Sequence, residues 1–109
     1  MLTVEKFRSL ALQVPCAVES AHMGHPDFRI SGKIFASLGY PDDGYGMVKV
    51  TPEQQQSLLK EAPNVFTPCA GAWGKGGATT VDLASARVDV VRAALYAASK
   101  NVTQKKRKT

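Results

Sequence analysis

An amphipathic helix near the end of the chain limits the folds open to these 109 residues. Between about Ser85 and Asn101 the apolar positions recur at alternating intervals of three and four residues, which is the spacing of one helical face. These positions are Val88, Val91, Leu95, Ala98 and Val102. A stripe of this length has to be covered by another layer, and the strand-like segments upstream indicate that this layer is a β-sheet.

A tight hairpin is predicted around Ser31-Gly32, a two-residue sequence typical of hairpin turns. Apolar residues keep one parity on both sides of this turn, so a single register would bury Phe28, Ile30, Ile34, Ala36 and Leu38. The opposite face then carries Arg29, Lys33, Phe35 and Ser37. We expect this second face to be mixed in character and partly solvated.

Two further helices are marked by their capping residues. Thr3 is placed to cap a first helix that runs to about Ala11. Thr51 precedes Pro52 and stands three residues before Gln54, which predicts a capping box at the start of a second helix. The segment 71–77, by contrast, is rich in glycine, which predicts a loop rather than a helix or a regular strand.

The predicted order of elements is a helix, three or four antiparallel strands, a helix, one or two strands and a last helix. This order predicts an α+β fold, a two-layer domain whose antiparallel sheet is packed on one face by helices. Residues 1–102 would form this single domain, and residues 103–109 a basic tail.

Most of the net positive charge lies in that tail. The chain has 14 Lys and Arg residues against 9 Asp and Glu residues, a formal charge of +5. Lys105, Lys106, Arg107 and Lys108 supply four of these charges, so the remainder of the chain is nearly neutral. Such a run is expected to be disordered and to attract polyanions through counterion release. The alternative is a solubilising end that has no partner.

Neither a membrane span nor an export signal is predicted. The longest apolar run, Ala93 to Ala98, is far shorter than the ~20 residues that cross a bilayer. Glu5, Lys6 and Arg8 interrupt the N-terminal segment with charges that an export signal would not place there. We therefore expect a cytoplasmic protein.

The sequence indicates no catalytic or metal site. Cys16 and Cys69 are far apart and outside any CxxC pattern, so we expect two thiols. His22 and His25 have the spacing of a helical zinc pair, but their segment is predicted to be extended. On one strand the two imidazoles would point to opposite faces. No serine has a paired base, so we predict a protein that is not an enzyme and uses no cofactor and no metal.

Several motifs in the same order resemble those of the MmcQ/YjbR family. GHPDFRI at residues 24–30 and GKIFA at residues 32–36 resemble its G-H-P-x-F-R and G-K-[IM]-F-A motifs. Residues 47–54 resemble its L-K-x-[DST]-P-E-E segment, and residues 73–81 its W-G-x-x-G-W-[TV] stretch. The likeness covers roughly residues 3–101. This sequence departs from the family pattern at Met23, where an aromatic residue is usual, and at Ala78, where a second tryptophan is common.

The resemblance implies a fold similar to the CyaY-like and secretion-chaperone-like folds, and a DNA-binding function of a double-wing type. Carried onto this sequence, one wing would be the hairpin with Arg29 and Lys33, and the other the glycine-rich loop with Trp73 and Lys75. Contacts would be mainly with phosphates. The tail residues Lys105, Lys106, Arg107 and Lys108 complete the predicted nucleic-acid-binding set.

Two other functions remain as alternatives. A protein-binding or chaperone-like domain with no nucleic-acid role predicts an exposed apolar patch around Trp73, Phe35 or Tyr45. A small-molecule enzyme predicts that His22 and His25 converge in a concave pocket.

Overall fold

The computed structural model describes residues 2–39 and 42–103, which form four α-helices and six β-strands. In chain order the elements are α1 (Val4–Leu12), β1 (Val18–His22), β2 (His25–Ile30), β3 (Lys33–Leu38), β4 (Tyr45–Lys49), α2 (Pro52–Glu61), β5 (Phe66–Pro68), α3 (Gly71–Lys75), β6 (Ala78–Asp82), a 3-10 turn (Leu83–Ser85) and α4 (Val88–Thr103).

The six strands form one antiparallel sheet in the spatial order β1-β2-β3-β4-β6-β5. Helix α4 lies on β3 and β4, α1 packs on α4, and α2 contacts β5 and β6. The predicted stripe of α4 faces the sheet, because Val91, Leu95 and Ala98 are completely buried in the core. The predicted α+β, two-layer fold class is confirmed. Within the described residues, no helix combines the length and apolar character needed to cross a bilayer.

Cross-strand partners show which residues share a face of the sheet. Phe28 of β2 pairs with Ala36 of β3, and both are completely buried in the core beneath the helices. Asp27 pairs with Ser37, and Ser37 pairs with Met47 of β4, so these three residues share the opposite side. We call that side, which α1, α2 and α4 do not cover, the open face.

Both predicted helix caps are confirmed. The Thr3 hydroxyl accepts a hydrogen bond from the Lys6 amide at 3.0 Å. At α2 the Gln54 amide donates to the Thr51 hydroxyl at 3.1 Å, and the Thr51 amide donates to the Gln54 side chain at 2.9 Å. These bonds join residues three positions apart, so they depend only on local sequence.

Replacing Thr51 by alanine is expected to lower the free energy of unfolding by about 1 kcal/mol, because one amide of the first turn of α2 loses its acceptor. Urea denaturation measures the change. Thr51→Ser keeps the hydroxyl and should unfold close to the wild type. Equal losses in the two variants would show that the cap contributes nothing.

The hairpin at Ser31-Gly32 is confirmed. Phe28, Ile30, Ala36 and Leu38 are buried as predicted, but the predicted parity is wrong for Ile34 and Phe35. The pairing of β2 and β3 shifts register between Phe28 and Arg29, which gives β3 one extra residue. Phe35 is therefore completely buried in the core. Ile34 pairs with Arg29 and is only half buried, on the open-face side. The alternating pattern cannot show where such a bulge falls, because it counts residues without their pairing.

The glycine-rich segment, predicted as a loop, contains the short helix α3. The buried side chain of Gln55 in α2 holds this helix from outside, since its amide group donates to the carbonyl oxygens of Gly74 at 3.0 Å and Ala78 at 3.1 Å. Glycine disfavours helix, but a partner nineteen positions away outweighs that local preference. The hydrogen bond from Gln55 thus holds in place the helix that carries Trp73.

Candidate functional site

A cavity of about 560 Å³ lies on the open face of the sheet. Its lining comes from β1, β2, β3, β4 and β6, from the β1–β2 turn and from α3: His22, Met23, His25, Ile34, Ser37, Met47, Lys49, Trp73 and Ala78. The volume falls within the range of about 300–1,000 Å³ typical of ligand sites. The lining is largely apolar, and its ionisable members are two histidines and a lysine.

A two-residue turn brings His22 and His25 together. Met23 and Gly24 both have positive φ values, 51° and 81°, as a tight hairpin of the type I′ class requires. His22 and His25 are direct cross-strand partners, and their ring centroids are 6.5 Å apart. The prediction that they point to opposite faces is wrong, because the segment is two strands and not one. An Asn-Gly turn would have predicted this hairpin from the sequence, whereas methionine at the first turn position does not indicate one.

These imidazoles converge on one concave cavity, which is the geometry that the enzyme hypothesis requires. The described part of the chain, however, contains no cluster of three or more His, Cys, Asp or Glu side chains arranged to hold a metal ion. Cys16 and Cys69 are both free thiols, as predicted. Burial raises the pKa of the Cys69 thiol, so this thiol loses its proton less readily than an exposed cysteine does.

A buried carboxylate organises one wall of the open face. Asp27 is completely buried, and its oxygens accept from Arg29 Nε at 2.7 Å, from Arg29 Nη2 at 3.0 Å and from His22 Nδ1 at 2.7 Å. The hydrogen bonds from Arg29 lower the pKa of Asp27 against the opposing effect of burial, with a smaller contribution from His22. The ionised carboxylate can only accept, so the His22 Nδ1 carries the proton that it donates.

This network changes the role expected of Arg29. The residue was predicted to contact phosphates, but both of its hydrogen bonds in the structure go to Asp27, and the pair carries no net charge. Nothing in the sequence marks this pairing except the i, i+2 spacing of the two residues, which places both on one side of β2. As a phosphate contact, Arg29 stays a prediction.

Two lysines converge beside the cavity. Lys33, at the tip of the β2–β3 hairpin, and Lys49, at the end of β4, are both exposed. They line a second groove of about 570 Å³ together with Gly32, Ile34, Thr51, Pro52, Gly76, Asn101 and Val102. This groove shares Ile34 and Lys49 with the open-face cavity, so the two adjoin at these residues. In the described ranges, neither lysine takes part in an ion pair.

Lys49 is absent from the predicted set, although its position two residues after Met47 places it on the open face. Lys75 was predicted to act with Lys33, but it lines a different groove, of about 370 Å³, beside Cys69. The structure therefore places Lys33 and Lys49 in one groove and Lys75 in another. We use "basic groove" below for the second groove with Lys33 and Lys49.

The side chain of Trp73 is 56% exposed at the wall of the open-face cavity. Met23 on the β1–β2 turn is 91% exposed. Of the aromatic rings named for an apolar patch, Phe35 is completely buried and Tyr45 is half buried, so Trp73 alone of these three is presented.

Helix α4 is described as far as Thr103, and Val102 lines the basic groove. The predicted binding residues Lys105, Lys106, Arg107 and Lys108 lie outside the described residues.

Two comparisons with known proteins bear on this arrangement. The model of the YjbR family matches residues 12–98. The crystal structure of Deinococcus radiodurans protein DR2400, with family-model domain DUF419, is similar with a TM-score of 0.77 at 21% sequence identity, covering 96% of this chain and 81% of that chain. A likeness at this identity shows the fold alone. Among curated proteins no match is found.

Proposed function

The chain belongs to the YjbR family, and from this premise we propose that it is a non-enzymatic DNA-binding module that contacts mainly the phosphate backbone. The observation that carries the proposal is the convergence of Lys33 and Lys49 on the basic groove. A protein that neutralises phosphates with such side chains gains affinity by releasing condensed counterions. An acidic residue would oppose that gain in affinity, and the described linings of the basic groove and of the adjoining cavity contain none.

Both predicted wings contribute residues to the basic groove. Gly32 at the tip of the β2–β3 hairpin and Gly76 after α3 both line the basic groove, with Lys49 between their strands. The chain continues from Val102 in this groove into the basic sequence of residues 105–108. The predicted contribution of the tail charges is to add to the electrostatic footprint of the two lysines.

A role without catalysis is supported by the environment of His22. Its partner Asp27 is held at the same time by two hydrogen bonds from Arg29, so the carboxylate already has a compensating charge. An arrangement of this kind orders the β1–β2 hairpin without requiring a substrate. The cytoplasmic location stays a prediction.

Duplex DNA binding at several salt concentrations tests the proposal. Changing both Lys33 and Lys49 to glutamine is expected to reduce the slope of log affinity against log salt by about 2, because each lost phosphate contact removes close to one unit. Lys60→Gln is the matched control, since Lys60 is exposed on α2 and lines neither groove. Equal slopes in the double variant and this control would contradict the assignment of the groove.

Removal of residues 104–109 separates the domain from its tail. We expect the shortened protein to bind duplex DNA more weakly, yet with a slope that still depends on Lys33 and Lys49. If the shortened protein binds no DNA at low salt, the binding comes from the tail alone, and the domain itself is not a DNA-binding module.

One observation favours a second candidate, a protein-binding domain. Met23 and Trp73 are large apolar side chains exposed at the same cavity, a combination that also suits an apolar peptide. This candidate predicts binding that survives high salt, whereas phosphate contacts weaken steeply with salt.

A further inference from the structure

The open-face cavity has a chemistry that phosphate contacts alone do not use. Phosphates are recognised by charged and polar donors, but most of this lining is apolar, including Ile34, Met47 and Ala78. The lining also includes Met23 and Trp73, which are the most exposed of its apolar side chains. Leaving a tryptophan more than half exposed forfeits the stabilisation that burying so large a ring would provide. The cavity is therefore suited to a flat apolar ligand with a charged neighbour.

The cations lie where such a ligand would carry its negative charge. Lys49 lines both the cavity and the basic groove, and Lys33 lies in the groove beyond it. Lys33 pairs with buried Ile30 on the helix side of the sheet, so a ligand with a ring in the cavity would meet Lys49 first and reach Lys33 only at the hairpin end of the groove. This sequence of an aromatic platform followed by cations is typical of proteins that track a single strand, stacking its bases and neutralising its backbone.

The opposite wall offers a polar group of defined orientation. The His22 Nδ1 proton is committed to Asp27, so in the neutral ring Nε2 is an acceptor. An imidazole held in this way can form a hydrogen bond with the edge of a base. A double helix hides both the faces and the pairing edges of its bases, so only an unpaired base can use the ring and the imidazole together.

On these grounds we propose that the open-face cavity takes one unstacked base of a single-stranded nucleic acid, with Trp73 as its stacking partner and Lys49 and Lys33 on the flanking phosphates. The inference rests on the proposed function and narrows its ligand from DNA in general to strands with unpaired bases. DNA and RNA share the chemistry involved, since every base has a flat face.

Trp73 is the one tryptophan of the chain, so its fluorescence reports directly on the cavity. Oligodeoxyuridylate and oligouridylate of about 12 nucleotides, which differ only in the 2′-hydroxyl, and a duplex of the same length are titrated into the full chain. We expect the single strands to quench the fluorescence and to bind at least about 10-fold more tightly than the duplex, with stacking the main source of the difference. Quenching by one single strand and not the other would identify which of the two sugars the site accepts.

Fluorescence anisotropy of labelled oligonucleotides then tests Trp73 itself. Trp73→Ala should weaken single-strand binding roughly 5- to 100-fold and duplex binding little, as expected for the loss of one stacked base. Trp73→Phe keeps a stacking ring and should recover most of the affinity. Tyr96→Ala is the matched control, because Tyr96 is an exposed aromatic residue, 39% accessible, on α4 and outside both cavities.

The outcomes separate this inference from the proposed function. Duplex and single strands that bind equally, with Trp73→Ala no weaker than Tyr96→Ala, would overturn the base site and leave the phosphate-binding module intact. Absence of salt-dependent binding to any nucleic acid would overturn both. Quenching by an apolar peptide, with none by any oligonucleotide, would likewise overturn the base site and favour the protein-binding candidate.

Discussion

Replacing Gly77 by alanine is expected to lower the free energy of unfolding by about 4 kcal/mol, enough to remove much of the stability of a small domain. A Cβ atom at this position would lie 1.9 Å from the carbonyl oxygen of Val50, a backbone atom that cannot rotate away. The φ value of Gly77 is +112°, a conformation that residues with a Cβ atom rarely adopt. Relief of the clash requires β6 to move away from the junction of β4 and α2.

Gly24→Ala is the matched control for the steric part of this prediction. Gly24 also has a positive φ, +81°, but an added Cβ atom would have nothing within 4 Å. The cost there should be only the conformational one, about 1 kcal/mol. Urea denaturation of both variants measures the difference. Similar losses at Gly77 and Gly24 would mean that the close approach of Val50 to α3 and β6 is not maintained in solution.

Replacing Asp27 by asparagine is expected to lower the free energy of unfolding by about 2 kcal/mol at neutral pH. The change keeps the size of the side chain but removes the charge that three hydrogen bonds from Arg29 and His22 surround. The loss is smaller than for a fully buried ion pair, because Arg29 is 30% exposed and water can solvate it. Glu19→Gln, which breaks the more exposed pair with Arg8, should cost about 0.5 kcal/mol or less.

The same carboxylate predicts a pH dependence. Its pKa is lowered in the folded protein, so its stabilising contribution is complete above the unfolded pKa of about 3.9 and is lost as the pH falls through the folded pKa. The stability difference between wild type and Asp27→Asn should therefore be full at pH 7 and shrink in strong acid. Urea midpoints at neutral and acidic pH measure it. A difference that stays constant with pH would show that the pKa of this carboxylate is the same in the folded and unfolded states, against the geometry of its three donors.

How far the fold could be predicted depended on the distance over which each signal acts. The caps at Thr3 and Thr51 and the apolar stripe of α4 are interactions within three or four positions, so local sequence is sufficient for them. The parity of Ile34 and Phe35 was predicted wrongly because it depends on where β2 and β3 slip against each other. The helix at Gly71–Lys75 was missed for a related reason, since its support comes from Gln55 in another element.

The candidate site shows the same division. Local pattern was enough to select Lys33 and Trp73 as exposed residues near hairpin and loop, but not to associate Lys33 with Lys49. It also could not show that Arg29 is neutralised by Asp27, because side-chain pairing depends on which groups remain within hydrogen-bond distance after folding.

The sequence by itself determined the order of the three long helices α1, α2 and α4, the hairpin at residues 31–32 and the class of the fold, because periodicity and capping act between near neighbours. Only the tertiary structure decided which side chains share the open face and which charges remain uncompensated there. Strand register, a single bulge and one turn at Met23-Gly24 bring together groups that lie far apart along the chain, and no local signal encodes those distances.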